Sequence, residues 1–143
     1  MNELAIVKHS PPMSNEMIAK ISQLTTELRK LPQIDLNTEN LIHAGTYART
    51  ITIPKGTVAT GVLIVVPTIM IVQGDITLFF DGGDERLTGY HVFAMPPHRK
   101  SVGIAHEDTH VTMIFATNAR TVAEAEAEFT TETDLLLDRA KGD

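Results

Sequence analysis

Gly61–Asp75, GVLIVVPTIMIVQGD, is the stretch whose reading decides the fold. Ten of the eleven residues from Val62 to Val72 are apolar or proline, with Thr68 the exception. The run is too short to span a bilayer and is interrupted by Pro67. Strand patterns lie on both sides of it. It therefore reads as the central strand pair of a small β-barrel, with the break or a bulge at Pro67, which cannot donate to a ladder. Gln73-Gly74-Asp75 reads as the turn that ends it.

Before the stretch, Tyr47–Ile53 alternates Tyr47, Arg49, Ile51 and Ile53 against Ala48, Thr50 and Thr52. Pro54-Lys55-Gly56 is a turn, and Thr57–Thr60 leads into the apolar run. After it come a strand at Ile76–Phe80, a hairpin signal at Asp81-Gly82-Gly83-Asp84, and a strand at Arg86–Met95 that ends at Pro96-Pro97. Ser101–His106 and His110–Ala116 read as a last hairpin around Glu107-Asp108-Thr109.

Helices flank the strands. Ser14 or Asn15 can cap a helix running to Leu31, with Glu16 in its first turn and Pro32 as its stop. Met17, Ile21, Leu24, Leu28 and Leu31 form one narrow apolar stripe. The stripe either packs on the barrel wall or makes a short seam with a second copy of the chain. Asn118–Phe129 and Thr133–Ala140 read as short C-terminal helices, with Thr121 and Thr133 as caps. The expected organisation is an arm and helix over residues 1–32, a barrel over 33–118 and a helical tail over 119–143. The class is mostly β, a small antiparallel jelly-roll barrel with helical ends.

Composition narrows the partners. The 143-residue chain is 43% hydrophobic and 21% charged, which suits one folded domain. Its net charge of −6 and pI near 5.4 give no electrostatic footprint for nucleic acid or an anionic membrane. With no cysteine there is no disulfide, thiolate nucleophile or Cys-type zinc site. MNELAIVKHSPP lacks the apolar core of a signal peptide, so the expected setting is the cytoplasm.

Residues 43–57 (HAGTYARTITIPKGT), 71–93 (IVQGDITLFFDGGDERLTGYHVF) and 102–118 (VGIAHEDTHVTMIFATN) resemble, in order and spacing, the cupin family. The likeness is to the small single-domain cupins often encoded by phages and prophages, which would place the protein in a host cytoplasm. This resemblance implies a barrel with metal ligands near Ile64, near Thr68 and Met70, and near Phe115. The chain instead places an isoleucine, a threonine, a methionine and a phenylalanine at those positions. Only the threonine hydroxyl could touch a divalent metal, and alone it is a poor ligand. The resemblance so read implies a metal-free barrel.

Other residues keep chemistry open. His106 and His110 flank a three-residue loop, and across a hairpin they could share a metal; a solvated hairpin tip is the plainer account. His91 shares a face with Phe93 and Met95 and is either a hydrogen-bonded core residue or part of a site. His98-Arg99-Lys100 is either a small basic rim for an anionic group on a ligand or, more simply, a solvated loop. Arg49, if interior, needs an acceptor such as Asp75 or Glu85, or a ligand's anionic group. The EAEAE run at 124–128 is a solvated helix face.

The reading is a non-catalytic binding module that takes a small molecule or protein partner and assembles as a homodimer or larger homo-oligomer. Its barrel lining would be Arg49, Ile64, Thr68, Met70, His91, Met113 and Phe115. The alternative is a metal-dependent cupin enzyme with a divalent metal on relocated histidines, His106 and His110 first among them.

Overall fold

A computed structural model describes residues 10–136 of the chain. The elements run α1 (Asn15–Leu28), β1 (Glu39–His43), β2 (Thr46–Ile53), β3 (Val58–Thr60), β4 (Thr68–Phe80), β5 (Gly83–Met95), β6 (Val102–Ala105), β7 (Thr109–Ala116) and α2 (Val122–Phe129), then a 3-10 turn at Thr133–Leu135. The seven strands form one curled antiparallel sheet in the order β1-β2-β7-β4-β6-β3, with β5 along the other edge of β4. This is the mostly-β barrel, with helices at its ends, that the sequence pattern implies.

The apolar stretch is central in a different way from the one expected. Residues 61–67 are not a strand; Ile64 makes an isolated bridge to Arg99, outside the named strands, and Gly61 N donates to Ser101 O at 2.8 Å. The strand starts just after Pro67 and then runs straight through Gln73-Gly74-Asp75, so these three residues do not form a turn. β4 pairs with β5 along its whole length, from Thr68↔Met95 to Phe80↔Gly83. Its other edge is shared: Ile69–Gln73 pair with β7 and Ile76–Leu78 pair with β6. Gly74 sits at the change of partner with φ +146. Asp108 of the link from β6 to β7 and Thr109 at the start of β7 press on it there. A side chain on Gly74 would meet Thr109 Oγ1 at 2.6 Å and Asp108 O at 2.9 Å, so only glycine fits.

The same arrangement removes the expected hairpin at His106–His110. β6 and β7 are joined by a short link yet do not pair with each other, because β4 lies between them. The two imidazoles go to different strands: His106 Nε2 meets Thr77 Oγ1 at 2.8 Å, and His110 Nδ1 meets Thr52 Oγ1 at 3.0 Å.

The ends of the barrel follow from local chemistry. Ser14 caps α1 by accepting from Met17 N. Its own N–H and hydroxyl donate to Asp81, in the two-residue loop between β4 and β5, at 2.7 Å each. The helix ends at Leu28 instead of Leu31, where Arg29 turns back on Thr25 and Glu27. Ile21 is buried, while Leu24 and Leu31 are 36% and 58% exposed. The stripe thus packs in part against the barrel, beside β3, where Thr25 and Thr60 share a hydrogen bond. Thr121 caps α2 by accepting from Glu124 N, but Thr133 is not a cap: the 3-10 turn begins from Glu132 without a side-chain bond. The rest of the second predicted C-terminal helix, residues 137–140, and most of the N-terminal arm lie outside the described residues.

Phe129 of α2 stacks on Tyr47 at 5.9 Å and meets Phe115 edge-on at 6.1 Å, closing one end of the barrel. Such ring pairs contribute about 1 kcal/mol each beyond the area they bury. No helix among the described residues is long and apolar enough to cross a membrane.

Candidate functional site

Alternation along the strands aims every second side chain inward. Arg49, Ile51 and Ile53 of β2, Val111 and Met113 of β7, and Met70, Val72, Ile76 and Leu78 of β4 converge on a cavity of about 550 Å³. The segments 33–38 and 59–62 form part of its wall, and Ile64, Phe129, Leu135 and Leu136 complete it on the α2 side. The wall is mostly aliphatic, and the volume is in the range that encloses a small organic molecule.

Of the residues singled out from the sequence, Arg49, Ile64, Met70 and Met113 lie on this wall. Phe115 does not; it is buried behind the wall in the aromatic cluster with Tyr47. Thr68 is buried too, its hydroxyl accepting from Arg99 Nη2. His91 pairs with Val72 across β4 and β5 but stays off the wall; its Nε2 meets Thr88 O at 2.8 Å and its ring stacks on Phe93.

Arg49 is interior, and its partner is neither Asp75 nor Glu85. Nη1 lies 3.8 Å from Glu126 Oε2, and the guanidinium covers the Phe129 ring at 5.9 Å. Asp75 is occupied by Arg86, which donates from Nε at 2.9 Å and Nη2 at 2.8 Å. These bonds hold the Asp75 carboxyl below the usual aspartate range. The EAEAE run is therefore not a uniformly solvated face: Glu126 is 1% exposed, and Glu128 accepts from Thr117 Oγ1. Its i, i+4 charge pattern hides this, because only the docking of α2 under β2 decides which glutamate turns inward.

The basic rim expected at His98-Arg99-Lys100 is buried except for His98. His98 takes a positive φ of 61, and its Nε2 meets Asn15 Oδ1 at 2.8 Å. Lys100, 1% exposed, bonds Ser22 Oγ at 3.0 Å and Glu132 Oε1 at 3.0 Å, tying α1 to the C-terminal turn. Arg99, 4% exposed, reaches the cavity wall. The sequence marks these residues as a basic rim but not their burial, because three polar residues after Pro-Pro look like any surface loop.

Among the described residues the wall's metal donors are the Asp35 carboxylate, hydroxyls of Thr38, Thr60 and Ser101 and the Gln33 amide, a poor set for a divalent metal, and two guanidinium cations stand beside them. Divalent first-row metals need several histidine or carboxylate ligands converging on one point. Nowhere among the described residues do three or more such side chains cluster.

Comparison with solved structures gives matches at low sequence identity. Salicylate 1,2-dioxygenase from Pseudoaminobacter salicylatoxidans superposes with TM-score 0.50 at 13% identity, over 81% of this chain and 36% of that one. A cupin 2 conserved barrel domain protein from Salinispora arenicola gives 0.48 at 18% identity, over 63% and 84%. A cupin-2 domain containing protein from Shewanella frigidimarina gives 0.46 at 12% identity, over 70% and 98%. The fold is a cupin fold. No family model and no curated protein matches the chain by sequence. Within this fold the inner wall of the barrel is mostly aliphatic. The chain spans little more than a third of the dioxygenase subunit it resembles.

Proposed function

We infer that this cupin barrel is a non-catalytic binding module that holds a small, mainly apolar molecule in its cavity. One observation carries the reading: a volume of about 550 Å³ walled by Ile51, Ile53, Met70, Val72, Val111 and Met113. Aliphatic walls of this kind favour burial of apolar surface by about 25 cal/mol per Å². The phage-type cupins that the sequence resembles, and a cytoplasmic setting, are part of the same reading.

N-phenyl-1-naphthylamine, an uncharged dye that fluoresces in apolar surroundings, tests it. The native protein binds the dye saturably with one site per chain. Val111→Phe fills the cavity and abolishes that binding while leaving the thermal melt cooperative. Unchanged binding by a folded Val111→Phe protein overturns the reading.

The module also self-associates through the outer face of its sheet. Leu41, Ala48, Ile114, Ile69 and Ala94 are register neighbours across five strands and form an uncharged row. Leu41 and Ile69 on that row are 61% and 47% exposed. Light scattering on Ile69→Lys gives a monomer; an unchanged assembly rules this face out.

A further inference from the structure

Three cations lie in or beside the cavity, Arg99 and Lys100 buried and Arg49 partly so, and two have a carboxylate. Arg49 faces Glu126, and Lys100 faces Glu132. Arg99 is the third. Its backbone is fixed by Ile64, with Arg99 N donating to Ile64 O at 3.1 Å and Ile64 N donating to Arg99 O at 2.8 Å. Its side chain is held by Thr68, whose hydroxyl accepts from Nη2. That leaves Nε buried with no acceptor among the described residues. No carboxylate pairs with this guanidinium among the described residues.

Such a group is expensive to bury. A guanidinium offers five donors in one plane, and a neutral hydroxyl satisfies one of them. Burial pulls the Arg99 pKa down to about 10, so it still carries its charge near neutral pH. The cavity wall therefore holds a positive charge with no carboxylate partner among the described residues, next to aliphatic surface. Arg49 and Glu126 cancel each other, and the Asp35 carboxylate is on the exposed segment at the wall's rim.

We propose that the ligand of this cavity is an apolar molecule bearing a carboxylate, and that Arg99 is its anionic-group partner. A carboxylate matches the planar fork of a guanidinium with two parallel hydrogen bonds, and it supplies both the missing acceptor and the missing charge. Thr68 positions the fork by holding one η nitrogen, and Ile64 fixes the strand-like backbone below it. The proposal rests on the reading of the cavity as an apolar binding site, and it adds the polar end of the ligand.

Displacement of N-phenyl-1-naphthylamine by two matched probes tests it. 4-Phenylbutyrate and 4-phenylbutan-1-ol share an apolar body and differ in charge. The native protein is expected to bind the acid at least about tenfold more tightly than the alcohol, as a buried charge-assisted pair demands. Arg99→Met removes that preference, while Arg99→Lys retains part of it. Equal affinities for acid and alcohol on the native protein overturn the proposal while leaving the apolar site intact, and this arm needs no variant to fold. Failure of the dye and of both probes to bind overturns the site itself, and the proposal with it.

Discussion

Gly74 and Thr109 meet where β4 changes partner: a Cβ on Gly74 would lie 2.6 Å from Thr109 Oγ1 and 2.8 Å from Thr109 Cα. The Cα belongs to backbone, so it cannot swing aside, and φ of +146 is a region that only glycine occupies at ease. This contact holds the β6–β7 link across the strand, and Asp75 O accepts from His106 N at 2.8 Å beside it.

Gly74→Ala is therefore expected to cost about 2–3 kcal/mol, lowering the melting temperature by roughly 6–12 °C. Gly83→Ala is the control, since nothing lies within 4 Å of a Cβ there. Differential scanning calorimetry of both variants decides the matter; equal melting temperatures would remove the glycine from the account of the bend.

The Asp81 carboxylate makes a pH-dependent link between the β4–β5 loop and α1. Hydrogen bonds from Ser14 N and Ser14 Oγ hold its pKa below the ordinary 3.8. The folded value is depressed, so the link stabilises the fold fully above the unfolded value and is lost as pH falls through the folded one. Asp81→Ala should lower the melting temperature near neutral pH, and the gap from the native protein should close in strong acid. A gap that stays constant across the acid range would show that the carboxylate's charge is not involved.

Lys100 is fully enclosed, and Glu132 is its only carboxylate among the described residues. Glu132→Gln leaves the ammonium buried beside a neutral amide, at a cost of about 2 kcal/mol, below the fully buried range because Glu132 is partly exposed. Lys100→Met combined with Glu132→Gln removes both charges and should recover most of the loss. Urea midpoints of the single and double variants measure this; a native-like midpoint for Glu132→Gln contradicts it.

Metal content separates the binding module from the enzyme alternative. Protein purified without a histidine tag is expected to carry Fe, Mn, Ni and Zn far below one equivalent by plasma mass spectrometry. One equivalent of any of them, lost on His106→Ala or His110→Ala, would favour a metal centre on the relocated histidines.

The fold was legible because its signals are local. The alternation from Tyr47 to Ile53, the two-residue loop at Asp81-Gly82 and the caps at Ser14 and Thr121 each follow from a few neighbouring residues. The errors came where tertiary context decides. Gln73-Gly74-Asp75 has turn chemistry, but the glycine serves a close backbone approach inside a long strand. His106 and His110 have hairpin spacing, but β4 inserts between their strands. Part of the cavity wall could be read in advance, Arg49 from alternation and Ile64, Met70 and Met113 with the cupin resemblance to place them. Arg99, Lys100 and Glu126 could not, because charged residues are buried only by partners distant in sequence: Thr68 for the first, Ser22 and Glu132 for the second, Arg49 for the third.

The central claim is that an apolar molecule enters the barrel, and the methionine methyl groups report on it most directly. Met70 and Met113 lie on the cavity wall, while Met17 is on α1 away from it. In protein labelled with ¹³C at the methionine methyls, bound N-phenyl-1-naphthylamine should give nuclear Overhauser contacts to Met70 and Met113 and none to Met17. Contacts to Met17 without contacts to Met70 and Met113 would place the molecule outside the barrel and contradict the account.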